Sequence, residues 1–375
     1  MAFLGHFSRL ERALTVAGLA PVVLMGAGVL GAHPTNRSLP EPTYRSFLPV
    51  PPAQARAPAP RLLASQIETL RNRFDGLAGI SVRSVDAGWA IDTVDADRPL
   101  PQQSVSKLWV ALTVMDAIDL GRMTLDDPIM ITRSDLTLFH QPIAYLVARD
   151  GAYRSTVRDL LNRAMTQSDN TANDRLLNAV GGPAAVRAFI AKHSLGAIRF
   201  GPGERLLQSG TAGMSWSQSY AAGRGFEAAR AKLEPAVRKA AYQRYVANPV
   251  DGAAPAAIAA ALTRFKRGEL LSPASTNYLF GVMTASRTGR ARLRGAVPPG
   301  WSLAHKTGTG QNYLGRTAGF NDVGLLTAPD GHTYAVAVMI GDTARPVSER
   351  QALMQAVVAT VVANHRPAYA GDVAQ

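Results

Sequence analysis

Ser104 and Lys107 could form a catalytic pair. They lie three positions apart, just ahead of an apolar, helix-favouring segment over 108–118. Residues three apart share one face of a helix, so the Lys107 amine can reach the Ser104 hydroxyl. A serine hydroxyl needs a base to attack a carbonyl, and Lys107 can serve as that base when it is neutral. Burial and a nearby cation would favour the neutral amine.

A serine followed three residues later by a lysine is common on helix surfaces, so the pair alone predicts little. Two further motifs follow it, Ser168-Asp169-Asn170 and Lys306-Thr307-Gly308. This is the chain order found in the penicillin-recognising serine enzymes. Two of the chain's six lysines lie in these motifs. The three motifs together therefore predict an acyl-transfer site.

The composition of the chain argues against several classes of site and partner. The 375 residues are 47% hydrophobic, which is enough for a sizeable core. The net charge of +13 comes mainly from arginines spread along the chain, without the basic, aromatic-lined tract that would indicate nucleic-acid binding. There are no cysteines, and the seven histidines have no ligand spacing. We therefore expect no metal, no other cofactor and no nucleic-acid partner.

The two ends of the chain differ from its centre. Residues 1–32 contain an uncharged run over 13–32 behind two arginines, which predicts an export signal or, if it is retained, a membrane anchor. Residues 33–61 are proline-rich and predict a linker. We expect the catalytic domain to cover 62–366, followed by a short tail over 367–375. This organisation predicts a periplasmic or secreted protein, tethered to the inner membrane if the leader remains.

The periodicity of the domain predicts an α/β (α+β) fold. A helix is expected over 62–74 and a hairpin over 80–94, whereas the segment from Ser104 to Leu195 has a helical pattern. Strands return at 301–306, 322–327 and 333–340, before a last helix at 348–365. Strands at both ends predict one antiparallel sheet built from the two termini, with helices beside it and an inserted all-helical domain.

The chain also resembles the class A serine β-lactamases. Segments over 165–173, 268–271, 299–301 and 321–322 are similar to landmarks of that family, in addition to the three motifs. The similarity covers roughly 62–365. It implies a β-lactamase/transpeptidase-like fold and a serine hydrolase that acts, as a monomer, on small-molecule β-lactams.

This resemblance assigns the deacylating base to Glu204. The family carries a glutamate after the Ser-Asp-Asn motif in the pattern Glu-x-x-Leu-Asn, and Glu204 stands at the matching distance from Ser168. Gln208 replaces the usual asparagine and adds one methylene, which could misplace the water. The arginine usually found ahead of the glutamate is also missing.

The resemblance implies the remaining roles. The backbone N–H groups of Ser104 and Thr309 would bind the oxyanion, and Ser168 would pass a proton to the leaving nitrogen. Asn170 would hold the acylamino side chain of the substrate. The substrate carboxylate would lie against the Lys-Thr-Gly motif, with help from Arg316; these residues are Lys306, Thr307, Gly308, Thr309 and Arg316.

An insertion of about 209–247 exceeds what the family loop needs, and we expect a surface elaboration without a catalytic role. The alternative is a lid or a partner surface. Two other functions remain open for the site: a D-alanyl-D-alanine peptidase, and a penicillin-binding sensor of the cell envelope that is acylated once. Glutaminases share the fold and a serine-lysine pair, but the Lys-Thr-Gly strand favours a lactam substrate.

Overall fold

The computed structural model describes residues 58–366, and within them a mixed sheet-and-helix domain. Its main sheet is antiparallel, with the strand order β2-β1-β10-β9-β7 and β8 added beside β9. The first strand of the domain thus pairs with the last, as the sequence predicts. The strands are β1 (Leu77–Ser84), β2 (Ala90–Asp92), β3 (Leu100–Pro101), β4 (Pro128–Thr132), β5 (Ala152–Thr156), β6 (Gly252–Ala253), β7 (Ser302–Thr309), β8 (Asn312–Tyr313), β9 (Arg316–Thr327) and β10 (Thr333–Thr343).

The helices lie on both faces of this sheet and form most of the inserted part. Their bounds are α1 (Arg61–Arg73), α2 (Lys107–Asp119), α3 (Ile143–Asp150), α4 (Val157–Asn162), α5 (Asn170–Ala179), α6 (Gly182–Lys192), α7 (Glu204–Ala212), α8 (Gly225–Ala231), α9 (Pro235–Ala247), α10 (Pro255–Lys266), α11 (Pro273–Thr284) and α12 (Val347–Ala363).

Strand β10 shows why the sheet is covered on both sides. Side chains alternate between the two faces of a strand. Val336, Val338 and Ile340 pack on the face that α1 and α12 cover, whereas Ala337 and Met339 belong to the larger core on the opposite face. All five are fully buried. This strand therefore ties the two cores together.

One part of the sequence prediction is wrong. The inserted domain is not all-helical, because β4 and β5 pair as an antiparallel ribbon between α2 and α4. The apolar residues Ile129 and Ile131 alternate over only five residues in β4, and β5 has no apolar alternation. So short an alternation is hard to distinguish from one turn of an amphipathic helix.

The predicted leader (1–32), most of the linker (33–61) and the tail (367–375) lie outside the described residues. These parts of the domain organisation remain predictions. Within 58–366, none of the helices has the length and apolar character needed to cross a bilayer.

We predict that Ile80→Ala lowers the free energy of unfolding by about 3 kcal/mol, because it leaves a cavity in the core between β1 and the helices α1 and α12. The Ile80 side chain is fully buried. Urea unfolding followed by circular dichroism measures the change. The matched variant Leu62→Ala, at a position that is 63% exposed on α1, should change the free energy by less than about 0.5 kcal/mol. Equal losses in the two variants would contradict the proposed packing.

Candidate active site

Ser104 lies in a single 3-10 turn, Gln103–Ser106, that leads directly into α2. Gln103 has a φ of +54°, in the left-handed region that few residues other than glycine adopt. The side chain of Ser104 is partly exposed, whereas Lys107 at the start of α2 is buried. The turn therefore presents the hydroxyl to the cleft and holds the amine beneath it.

The Lys107 ammonium group is surrounded by oxygen atoms. Its Nζ donates to Ser104 Oγ at 3.0 Å and to Asn170 Oδ1 at 2.9 Å. It also forms an ion pair with Glu204, and both side chains are almost completely buried. The structure thus brings the predicted nucleophile, its lysine and the predicted deacylating base into contact.

Ser168 reaches the same cleft from the other side. It follows a π-helical turn over Arg163–Gln167 and has a φ of +62°. Its Oγ accepts a hydrogen bond of 2.9 Å from Lys306 Nζ. Lys306 is fully buried, and burial together with the nearby Lys107 charge lowers its pKa well below the ordinary value. A lysine of this kind can exchange a proton with a neighbouring hydroxyl.

Asn170 is fixed by its position at the start of α5. Asp169 caps that helix by accepting a hydrogen bond from the N–H of Ala172, and it also accepts one from the N–H of Ile143. The Asn170 Nδ2 group donates to Leu138 O at 2.8 Å, so its Oδ1 faces Lys107. The Asp169 carboxylate therefore acts as a brace.

Strand β7 forms one wall of the cleft and lies close to the turn over Gln103–Ser106, which we call the nucleophile turn. Gly308 makes this close approach possible. A Cβ at Gly308 would stand 2.3 Å from Gln102 O, where no side chain fits. Thr307 and Thr309 line the cleft with Ser104 and Ser168. The cleft has a volume of about 470 Å³.

Arg316 is not brought to this cleft. It forms an exposed ion pair with Asp342, with 2.6 Å between Nη2 and Oδ2. Arg292 does line the cleft, and it donates to Thr309 Oγ1 at 2.5 Å and to the carbonyl of Gly308 at 2.9 Å. Burial lowers the pKa of Arg292 to about 10. No motif distinguishes Arg292 from its neighbours Arg287, Arg290 and Arg294, so the sequence could not indicate it.

Glu204 is the first residue of α7, directly after Gly203, which has a φ of +96°. The backbone N–H of Glu204 donates to Asp174 Oδ1 at 3.1 Å, so two carboxyl groups share one buried region. Burial, followed by repulsion from Glu204, raises the pKa of Asp174 to about 6.

Hydrogen bonds between the side-chain amides of Gln208 and Gln103 connect Glu204 to the insertion. Gln208 Nε2 lies 3.3 Å from Glu204 Oε2 and donates to Gln103 Oε1 at 2.9 Å. Gln103 Nε2 in turn donates to the hydroxyl of Tyr245 on α9 at 2.6 Å. Asp251 accepts from that hydroxyl and from the backbone N–H of Gln103.

These contacts change the interpretation of the insertion. The sequence favours a surface elaboration for 209–247, but Tyr245 lies within it and is buried against the residue that precedes the nucleophile. A loop of this length carries no motif that could have indicated the contact. The insertion is therefore part of the wall behind Ser104.

Comparison with known proteins gives this geometry its context. The model of the β-lactamase enzyme family matches residues 62–365. The chain belongs to that family. It is 29% identical over 305 residues to the extended-spectrum β-lactamase PER-1 of Pseudomonas aeruginosa, an alignment that covers 80% of this chain and 86% of PER-1.

Solved structures agree with this assignment. A β-lactamase from Chitinophaga pinensis is similar with a TM-score of 0.65 and 26% identity, covering 81% of this chain and all of that one. The class A β-lactamase reconstructed for the last common ancestor of Gram-negative bacteria gives a TM-score of 0.64 and 30% identity, covering 80% and 98%. The predicted fold and the predicted membership of the class A serine β-lactamases are confirmed, and this β-lactamase is a hydrolase.

We predict that Asp174→Asn stabilises the protein at neutral pH but not near pH 4. The folded-state pKa of Asp174, about 6, lies above the ordinary value of 3.8, so the wild type loses stability as the pH rises through that interval. The asparagine does not titrate and can still accept from the N–H of Glu204. Unfolding free energies between pH 4 and 8 should diverge by roughly 2–3 kcal/mol in favour of the variant. A difference independent of pH would contradict the assignment.

Proposed function

We propose that this protein hydrolyses β-lactams through an acyl-enzyme on Ser104, with Glu204 as the deacylating base. The observation that carries the proposal is the contact of Lys107 Nζ with Ser104 Oγ, Asn170 Oδ1 and Glu204 in one buried cluster. A lysine that lies between a hydroxyl and a carboxylate gives the serine proton a path away from the attacking oxygen. We infer export from the cell as well, from the leader at 1–32.

Acylation begins when Ser104 Oγ attacks the lactam carbonyl. Glu204 can take a proton from the Lys107 ammonium group, and the neutral amine then accepts the hydroxyl proton of Ser104. The negative charge that develops on the carbonyl oxygen is bound by the backbone N–H groups of Ser104 and Thr309, which belong to the rigid turn and to the end of β7.

Opening of the lactam requires a proton on the leaving nitrogen. Ser168 can donate it and recover one from Lys306, which lies 2.9 Å away. The substrate carboxylate lies against Lys306, Thr307 and Thr309. Arg292 adds positive charge at that end of the cleft, in the role that the sequence assigned to Arg316. Binding and protonation thus use neighbouring groups on one wall.

Deacylation depends on Glu204. Its Oε1 contacts Lys107, and its Oε2 faces the Gln208 amide at 3.3 Å. A water bound by Glu204 and Gln208 would be activated by the carboxylate as it attacks the ester. A peptidase with the same serine and lysine would not depend on Glu204, and a sensor would keep its acyl group, so the fate of the acyl group formed from penicillin separates the three functions.

We predict that Glu204→Gln traps an adduct on Ser104. Intact mass, sampled over seconds to minutes after mixing with benzylpenicillin, should show free enzyme for the wild type and acylated protein for the variant. Loss of a general base slows its step by roughly 10²–10⁴-fold. The control Glu234→Gln removes an exposed carboxylate from the insertion and should behave as the wild type. A persistent adduct in every sample would indicate a peptidase or a sensor, and no adduct in any sample would exclude acylation by penicillin.

We predict that Tyr245→Phe slows acylation, because Gln103 then loses its buried acceptor and Asp251 loses a donor. Stopped-flow measurement with nitrocefin should show a decrease of about tenfold in kcat/KM, since an unpaired buried group costs roughly 1–3 kcal/mol. Tyr242→Phe, on the same helix, is the matched control, because its hydroxyl donates to Asp342 on β10, away from Ser104. Equal decreases in the two variants would assign Tyr245 a purely structural role.

A further inference from the structure

Arg230 is an arginine of the insertion that lines the catalytic cleft. Helix α8 carries it to the cleft wall that holds Gln208 and Gln311. Within residues 58–366, no carboxylate forms an ion pair with Arg230. Its guanidinium group is held instead by neutral partners. Nη1 donates to Gln311 Oε1 at 3.0 Å, and the group lies 5.4 Å from the ring centre of the buried Phe226.

The orientation of Gln311 explains this contact. Its Nε2 donates to Gln208 O at 2.8 Å and to Gln208 Oε1 at 3.1 Å, so its carbonyl oxygen must point towards Arg230. A neutral acceptor holds the guanidinium in place without cancelling its charge. An arginine has five N–H donors, and Gln311 accepts from one of its nitrogen atoms. The remaining donors can form the paired hydrogen bonds that bind a carboxylate.

The charge around the cleft favours an anion at this point. None of the lining residues is acidic. The other arginine that lines the cleft, Arg292, donates to the carbonyls of Gly308 and Asn321. Lys306, behind the cleft wall, donates to Ser168 Oγ and to the carbonyl of Thr307. Both serve the end of the cleft assigned to the carboxylate of the lactam nucleus. Arg230 is separate from Lys306 and Arg292, because its partner Gln311 lies two residues beyond the end of β7.

We propose that Arg230 binds an anionic group on the acylamino side chain of the substrate. The inference rests on the proposed function and on the role that the family resemblance implies for Asn170, which would hold the amide of that side chain. Gln208, Gln311 and Arg230 line the same cleft, so the rest of the side chain can extend along that wall. Phe139, which lines the same cleft and packs edge-on against Phe226 at 5.0 Å, offers an apolar surface beside the charge. The preferred substrates are β-lactams whose side chain ends in a carboxylate.

The test compares two cephalosporins with the same nucleus, cefixime and cefdinir. Their oxime groups differ in that cefixime carries a carboxymethyl group and cefdinir a hydroxyl. The ratio of kcat/KM for cefixime to that for cefdinir should fall roughly tenfold in Arg230→Gln, which corresponds to one lost charged contact. Arg230→Lys should recover part of the ratio. Arg238→Gln, which removes a charge from α9 at a position that does not line this cleft, should leave it unchanged.

A salt titration provides a readout that a structural role would not change. Screening weakens an exposed charge pair, so the wild-type ratio should decrease as sodium chloride rises, whereas the ratio of Arg230→Gln should stay constant. An unchanged ratio in Arg230→Gln, or equal losses on both substrates, would overturn this inference and leave the hydrolase function intact. Failure of the wild type to hydrolyse cefixime would overturn this inference alone, whereas the proposed function would be contradicted only if benzylpenicillin and nitrocefin also remained intact.

Discussion

The site depends on the burial of one lysine between a hydroxyl, an amide and a carboxylate. The Lys107 and Glu204 side chains are 0% and 4% exposed, so neither charge can be solvated by water. Removing one partner from such a pair typically costs 3–5 kcal/mol, because the other charge is left buried and unpaired. These groups come from the nucleophile turn, α2, α5 and α7, so the buried contacts of Lys107 also hold the four elements together. Stability and reactivity at this point share the same contacts.

A second constraint is the close approach of β7 to the nucleophile turn. Gly308 leaves room for the backbone, and Asn321 on β9 fixes the distance by donating to the carbonyls of Pro101 and Gln102. Asn321 Oδ1 also accepts from the N–H of Ile340 in β10. One buried amide thus connects two strands of the main sheet to the residues ahead of Ser104. The backbone N–H groups of Ser104 and Thr309, which we propose bind the oxyanion, keep their spacing because the sheet sets it.

The predictions from the sequence were most successful for features that depend on residues close together in the chain. The periodicity located the main strands and helices within a few residues, and the three motifs carry Ser104, Ser168 and Lys306 on their own. Glu204 could be assigned through its distance from Ser168. The positions of Arg292 and Tyr245 could not be predicted, because their contacts join segments far apart in the chain. Arg316 illustrates the same limit, since nothing in its neighbourhood shows that Asp342 holds it away from the cleft. The ribbon β4–β5 was missed because its alternation is short.

The substitution of glutamine for asparagine at position 208 has a physical explanation in this fold. The extra methylene makes the side chain longer and more mobile, which would place the amide poorly if it stood alone. Gln208 is instead bound on both sides, with Gln311 donating to its Oε1 and Gln103 accepting from its Nε2. Every link in the chain of hydrogen bonds runs in one direction, and such chains strengthen their members. The order from donor to final acceptor is Arg230, Gln311, Gln208, Gln103, Tyr245 and Asp251. Because the insertion supplies Arg230 at one end and Tyr245 near the other, it compensates for the longer side chain and fixes the amide that faces Glu204.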